Sequence, residues 1–427
     1  MAVREDRPSV EAPAAARGGS VALFFAATGG GVQRGRVTIA NALTERGVHV
    51  TCVMPQAEGP FLERLSPDVT VVDLTTRQPI QLVLRLARWL REARPPALIA
   101  SQQHAIIAAV WARRLAGVKT SVIVIQHNTL SALCLHSRRR AVRWLLPTAA
   151  RLFFRWADQV CAVSNGVAAD LAAITGIPVS DIRVVHNPTV TPELLEQAKE
   201  PSGHPWFDGD RADRPPVVLG VGTLIPHKDF VLLIRAFARV RAMRPARLVI
   251  LGEGGERPEL ERLARELGVA ADIELPGFEP NPYKFMARAD VLAVSSRVEG
   301  MPNTIIEALA CGCPVVSTDC PSGPVEILEN GRYGKLVPVG DEAALAAAID
   351  ATLQGAPDPH ELRRRAADFS VERATDRYLQ LVGLQRPGPP AEPPQRAPGA
   401  RHKARAAPVP ACHGRPCSEK ATSRGLL

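Results

Sequence analysis

Val298-Glu299-Gly300-Met301-Pro302-Asn303-Thr304-Ile305-Ile306-Glu307-Ala308-Leu309 carries two acids with seven residues between them. The run before it, Ala289-Asp290-Val291-Leu292-Ala293-Val294-Ser295, reads as a buried strand. From Asn303 onward the chain reads as a helix that Asn303 or Thr304 can cap and that stops at Gly312. Cys313-Pro314-Val315-Val316-Ser317-Thr318-Asp319 then reads as the next strand. Glu299 is therefore expected in the loop at the carboxyl end of a strand, and Glu307 in the first turn or so of the following helix. That edge of a parallel sheet is where open α/β folds bind ligands. Backbone N–H groups of Met301, Asn303 and Thr304 at the helix start favour a phosphate there. The two carboxylates then flank an anion site, placed to accept hydrogen bonds from sugar hydroxyls.

Outward from this unit the chain divides into two α/β halves. The first opens with strand Val21–Ala27, a Gly29-Gly30-Gly31 loop, and an amphipathic helix with Val32, Ile39, Ala40 and Leu43 inside, ended by Gly47. Further strands read at Val48–Val53, Val69–Leu74, Leu98–Ala100, Val122–Ile125, Gln159–Val163 and Ile182–Val185. A stretch rich in Pro, Gly and Asp follows and reads as a linker. The second half restarts at Val217-Val218-Leu219-Gly220-Val221-Gly222 and alternates helix and strand through the Glu299/Glu307 unit. The expected organisation is a flexible N-terminus (1–20), a first Rossmann-like domain (21–190), a linker (191–216), a second Rossmann-like domain (217–369), a final helix (370–384) and a tail (385–427).

The stretch around Glu299 resembles the E-x7-E motif of retaining GT-B glycosyltransferases of family 4, the glycogen-synthase-like group. Paired acids at this spacing also arise on solvated helices. Here the flanking Ser295-Ser296-Arg297 and the strand after Gly312 resemble the family as well. The resemblance covers roughly Val21 to Val382 and is more specific in the second half. It implies a GT-B fold: two Rossmann-like domains whose parallel sheets face a central cleft, with the last helix returning to the first domain. It implies that Glu299 contacts the transferred sugar and Glu307 the nucleotide ribose, with Arg297, Gly300, Met301, Pro302, Asn303 and Thr304 around the donor.

Other pieces of the same site follow from strand ends. Gly222-Thr223-Leu224-Ile225-Pro226-His227-Lys228-Asp229-Phe230 follows a strand and opens a helix. Sugar transfer leaves charge on a phosphate, and a fixed cation such as Lys228 stabilises it. The segment resembles the family's G-R-L-x-x-x-K-D, except that Thr223 stands where the family has Arg; Arg297 is the candidate substitute for that cation. Gly30 and Gly31 let a ligand approach backbone at a helix start, and resemble the family's glycine loop facing donor phosphates and acceptor. The loop is not GxGxxG, and no acid ends the second strand, which disfavours a nicotinamide site. His127, just past a buried strand, matches the family's cleft histidine near the reacting centre. Asn187-Pro188 and Ser164-Asn165-Gly166 also resemble family segments, with turns as their plain reading.

Composition limits the rest. The net charge of +9 is concentrated in the tail, where eight Lys and Arg face two acids from Arg386 onward. Nine prolines and few large apolar residues there predict disorder. No nucleic-acid partner is expected. Eight cysteines include Cys311 and Cys313 around a helix end, with no fourth ligand at zinc spacing, so no metal is expected. No apolar run reaches the ~18 residues of a membrane span, and the N-terminus lacks a signal core. A cytoplasmic protein is expected. Residues 137–156 interleave arginines with Trp144, Phe153, Phe154 and Trp156, which suits peripheral contact with the inner face of a membrane or an Arg-faced core helix broken at Pro147.

The expected reaction is transfer of a hexose, with retention, from a UDP- or GDP-linked sugar to a glycan or lipid-linked acceptor. The resemblance implies retention and no metal; no cofactor is expected, and the expected setting is cell-surface polysaccharide or glycolipid assembly. A non-catalytic GT-B subunit is the alternative that Thr223 raises. A nucleotide-sugar epimerase of the same fold is a further one.

Overall fold

The computed structural model describes residues 19–26, 30–58, 62–136, 140–209 and 213–384. Most of the N-terminal segment, Gly29 of the glycine loop, the start of the arginine-rich stretch and the 385–427 tail lie outside the described residues.

The first domain runs β1 (Ser20–Phe24), α1 (Gly30–Glu45), β2 (His49–Met54), β3 (Thr70–Asp73), α2 (Pro79–Ala93), β4 (Ala97–Ser101) and α3 (Gln103–Ala116). It continues with β5 (Ser121–Gln126), α4 (Leu130–His136), α5 (Arg140–Phe154), β6 (Gln159–Ala162), α6 (Asn165–Thr175) and β7 (Ile182–Val184). A short helix α7 (Pro192–Gln197) follows. The second domain runs β8 (Val217–Val221), α8 (Phe230–Met243), β9 (Arg247–Leu251), α9 (Arg257–Glu266), β10 (Ile273–Gly277), α10 (Tyr283–Met286) and β11 (Val291–Val294). Then come α11 (Asn303–Cys311), β12 (Val315–Thr318), α12 (Pro324–Ile327), β13 (Lys335–Val337), α13 (Glu342–Gln354), α14 (Pro359–Ala366) and α15 (Val371–Leu381).

Each domain is one parallel sheet flanked by helices: seven strands ordered β3-β2-β1-β4-β5-β6-β7, and six ordered β10-β9-β8-β11-β12-β13. This is the two-domain Rossmann-like GT-B architecture. Strand order reverses between β1 and β4 in the first sheet and between β8 and β11 in the second. At such a switch point consecutive crossovers go opposite ways and leave a crevice at the carboxyl ends. The central strands are apolar on both faces because both are covered, whereas the edge strand β3 is largely exposed. Leu219 and Leu292 join the core shared with the first domain, while Val218, Val291 and Ala293 join the outer core of the second.

Three elements differ from the sequence reading, each for a local reason. The linker is not structureless: α7 forms there because Pro192 suits a first helical position and Thr191 caps Leu194 N–H at 3.2 Å. Pro147 lies inside α5 rather than breaking it. The cap of α11 is Pro302, not Asn303 or Thr304, whose residues are already helical. Gly312 does close that helix in the left-handed conformation, at φ 77°.

The chain crosses between domains twice, and the crossings are tied together. Thr189 and Val190 N–H donate to Phe369 O at 3.1 Å each, and Val371 N–H donates to Val190 O at 2.9 Å. Past the second crossing, α15 packs on α1. Arg46 pairs with Asp376 at 3.1 Å, and the Gln159 side chain donates to Leu381 O at 2.8 Å.

Candidate active site at the facing sheet edges

The β8–α8 and β11–α11 loops lie side by side because their strands pair directly, Val218 with Val291 and Leu219 with Leu292. Lys228 comes from the first loop and Glu299 from the second. The Lys228 Nζ donates to Glu299 Oε1 at 2.6 Å, and Ser296 Oγ donates to the same oxygen at 2.7 Å. Both loops are braced. Ser295 Oγ donates to Lys228 O at 2.9 Å. Asp229 caps α8 through its Oδ1, and its Oδ2 accepts from Arg297 Nε at 2.6 Å. Arg297 is thus paired with Asp229 through Nε, with its side chain still more than half exposed. Thr223 is exposed on the same loop.

At Gly300 the second domain comes into close contact with the first. A Cβ there would lie 1.8 Å from His127 O, so any side chain would push the loop away. The Ser164 and Ser322 hydroxyls stand 2.6 Å apart, at 2.9 and 2.8 Å from Gly300 O. Gly166 is equally constrained, since a Cβ would meet Ser322 Cα at 2.6 Å. Ser164-Asn165-Gly166 is therefore more than a turn. It starts α6 and docks the Glu299 loop. His127 is buried, and among the described residues its Nε2 has no partner. Burial, and secondarily the Arg36 charge, hold its pKa well below the ordinary value, so the imidazole is neutral. A buried, unpartnered ring nitrogen at a sheet edge is the kind of group a ligand satisfies.

Met301 and Pro302 are buried, with the Met301 side chain in the core, so any contribution they make is through backbone. Asn303 Oδ1 accepts from Asn187 Nδ2 at 2.9 Å and Thr189 Oγ1 at 3.2 Å, both in the first crossing. A Cβ on Gly31 would lie 3.1 Å from Asn303 Nδ2. The starts of α1 and α11 therefore meet, with Gly31 against the Asn303 side chain. Two helix N-termini from opposite domains thus converge, each with positive dipole and outward N–H groups.

Glu307 is the fifth residue of α11, in its second turn rather than its first. Glu307 is buried, and its carboxylate is ion-paired to Arg34 Nη2 of α1. Arg34 Nη1 donates to the Tyr283 hydroxyl at 2.7 Å. The sequence reading overlooked Arg34, Tyr283, Ser296 and Ser322. One signal for Arg34 was present: a cation near a helix start opposes the macrodipole. Among the described residues no cluster of His, Cys, Asp and Glu is arranged to hold a metal.

The sequence pattern described as Glycosyl transferases group 1 matches residues 207–369, and that described as Glycosyltransferase Family 4 matches residues 29–191. The chain is 32% identical over 277 residues to the N-acetylgalactosamine-N,N'-diacetylbacillosaminyl-diphospho-undecaprenol 4-alpha-N-acetylgalactosaminyltransferase of Campylobacter jejuni. That match spans 63% of this chain and 72% of the relative. It is 29% identical over 379 residues to the lipopolysaccharide core biosynthesis glycosyltransferase LpsE of Rhizobium meliloti, spanning 85% of this chain and 98% of that one. Among solved structures, Anabaena HepE in complex with UDP-glucose has the same fold, with a TM-score of 0.69 at 21% identity over 85% of this chain and 99% of that one.

Proposed function

The chain belongs to the group 1 glycosyltransferases of family 4, and on that premise we propose that it moves a hexose from a UDP- or GDP-linked donor to a glycan or lipid-linked acceptor, with retention and without a metal. The observation that carries this reading is the Lys228–Glu299 pair beside two converging helix starts. In this reading the diphosphate lies between those helix starts, with Lys228 on the departing phosphate. Glu299 accepts from a sugar hydroxyl, Glu307 from the ribose, and His127 meets the sugar through its neutral ring. The C1–O bond to the β-phosphate breaks, and the acceptor oxygen bonds to C1 on the same face. The acceptor's proton passes to the departing phosphate oxygen. Charge grows on that oxygen as the bond breaks, so fixed donors and a cation there lower the barrier.

The names of the Campylobacter and Rhizobium relatives place them in lipid-linked glycan and lipopolysaccharide assembly, which supports a role in building a cell-surface polysaccharide or glycolipid. Among the described residues no helix is long and apolar enough to cross a membrane. A peripheral position at the cytoplasmic face fits the side chains of α3 and α5. Trp111, Phe153 and Trp156 form one aromatic cluster with centroids 5.5 to 5.9 Å apart, and Arg114 stacks 3.8 Å over Trp156. Leu115, Arg151, Leu152 and Arg155 are exposed beside it, a composition that suits an anionic lipid surface. Arg151→Glu with Arg155→Glu should weaken co-sedimentation with phosphatidylglycerol vesicles.

The deciding experiment incubates the full chain with a panel of nucleotide-sugars and acceptors and follows release of nucleoside diphosphate, with NMR of the product's anomeric configuration. Thr223 in place of the family arginine favours one second reading, a non-catalytic subunit. That reading predicts donor binding with no release. An epimerase would return a new sugar isomer and no free nucleotide.

A further inference from the structure

We propose that Arg34 is a positioning residue for donor recognition, setting the Glu307 carboxylate for the ribose from the opposite domain. The inference rests on the reading of Glu307 as the ribose contact and adds a residue to it.

Three observations point there. First, the Glu307 side chain is 3% exposed and Arg34 is its ion-pair partner. A carboxylate so deep in the protein needs a counter-charge, and removing one member of such a pair leaves the other stranded. Second, the guanidinium is held at two points, by Glu307 on Nη2 and by the Tyr283 hydroxyl on Nη1. Tyr283 is itself buried. A planar fork gripped this way fixes the direction of the acid it holds, which a point-charge lysine cannot do. The pair engages Glu307 through Oε1, and a carboxylate has capacity for further donors such as ribose hydroxyls.

Third, the contact is not an isolated surface bridge. Glu307 and Asn303 are one turn apart on the same side of α11, and both are held by the first domain or its crossing: Asn303 by Asn187 and Thr189, Glu307 by Arg34. Arg34 lies one turn past Gly30 and Gly31, and Gly31 lies against the Asn303 side chain. The Glu307 carboxylate is therefore aimed at the ribose only when α1 is seated against α11. Nucleotide recognition by the second domain becomes conditional on the first.

The test uses the full chain and calorimetry with UDP and GDP, taking whichever binds, against its 2′,3′-dideoxy analogue. Wild type should prefer the ribose form. Glu307→Gln should erase most of that preference, and Arg34→Ala should erase it to a similar degree, with donor affinity falling about tenfold or more. The double variant should bind no more weakly than Glu307→Gln alone. In turnover, Arg34→Ala should raise donor KM and leave kcat within about threefold, since an oriented ribose contact serves ground and transition states alike. Arg34→Lys and Tyr283→Phe provide the second route should Arg34→Ala not fold. Each is expected to lose part of the preference, and Arg34→Lys to recover some of the alanine variant's affinity. If Glu307→Gln keeps the preference, the ribose reading fails and this proposal with it. If Glu307→Gln loses it but folded Arg34 variants keep it in full, Arg34 alone is wrongly assigned.

Discussion

Lys228 and Glu299, 71 positions apart in the chain, meet at 2.6 Å through a single ammonium–carboxylate contact. Their strands, β8 and β11, are neighbours across the switch point of the second sheet. On the proposed reading, the cation for the departing phosphate and the acid for the sugar are thus held against each other by the fold.

Removal of either should act on the chemical step. Glu299→Gln and Lys228→Ala are each expected to lower kcat by about 10²-fold, the scale for losing one preorganised stabiliser of developing charge. Because the two side chains are bonded, the double variant should fall by less than the product of the singles. Steady-state kinetics on variants shown to be folded by circular dichroism check this. Wild-type kcat in both would move the chemistry elsewhere.

Gly300→Ala should be nearly as damaging without touching a charge. Its new methyl would sit 1.8 Å from His127 O, a backbone atom that cannot swing aside. The Glu299 loop must then back away from the first domain, and misplacement on this scale costs about 10²-fold in kcat/KM. Gly255→Ala, with nothing within 4 Å of its new Cβ, is the matched control and should be silent.

His127 should make stability sensitive to acid. Its folded pKa is held well below 6.5 by burial and then by Arg36, whereas the unfolded chain titrates near that ordinary value. Below pH 6.5 the unfolded state gains a proton that the folded state refuses. Stability from this group is therefore complete above that pH and is lost as pH falls beneath it, at about 1.4 kcal/mol per pH unit. Thermal melts across this range should show a steeper decline of Tm for wild type than for His127→Asn. Parallel curves would refute the assignment.

Thr223→Arg restores the cation that the related segment carries. The site is exposed on the loop that holds Lys228, and Arg297, the alternative cation, is bound to Asp229. A second positive charge on the diphosphate should raise kcat by about tenfold if it reaches the leaving group. Unchanged or reduced nucleotide release would show that the longer side chain does not reach it.

Much of this was readable along the chain, because the relevant physics is local. Both-face apolar runs mark strands such as Val217–Val221, and helix 303–311 was visible from its periodicity and from Gly312. The β11–loop–α11 order alone put Glu299 at a sheet edge, since a parallel crossover leaves its loop at the carboxyl end. The lysine after β8 followed from the same rule.

Contacts with no local signature came only with the tertiary structure. Arg34 and Glu307 are 273 positions apart, and their ion pair exists because α1 and α11 are brought together where the two domains meet. Arg297 reads as a free cation in sequence, yet Asp229 claims it across 68 positions. The need for glycine at position 300 arises from a carbonyl in the other domain, and the Ser164–Ser322 contact spans 158 positions. Periodicity and capping encode which residues line each sheet edge. Which of them face one another depends on how two sheets close, a choice made by packing over the whole interface rather than by any short stretch of chain.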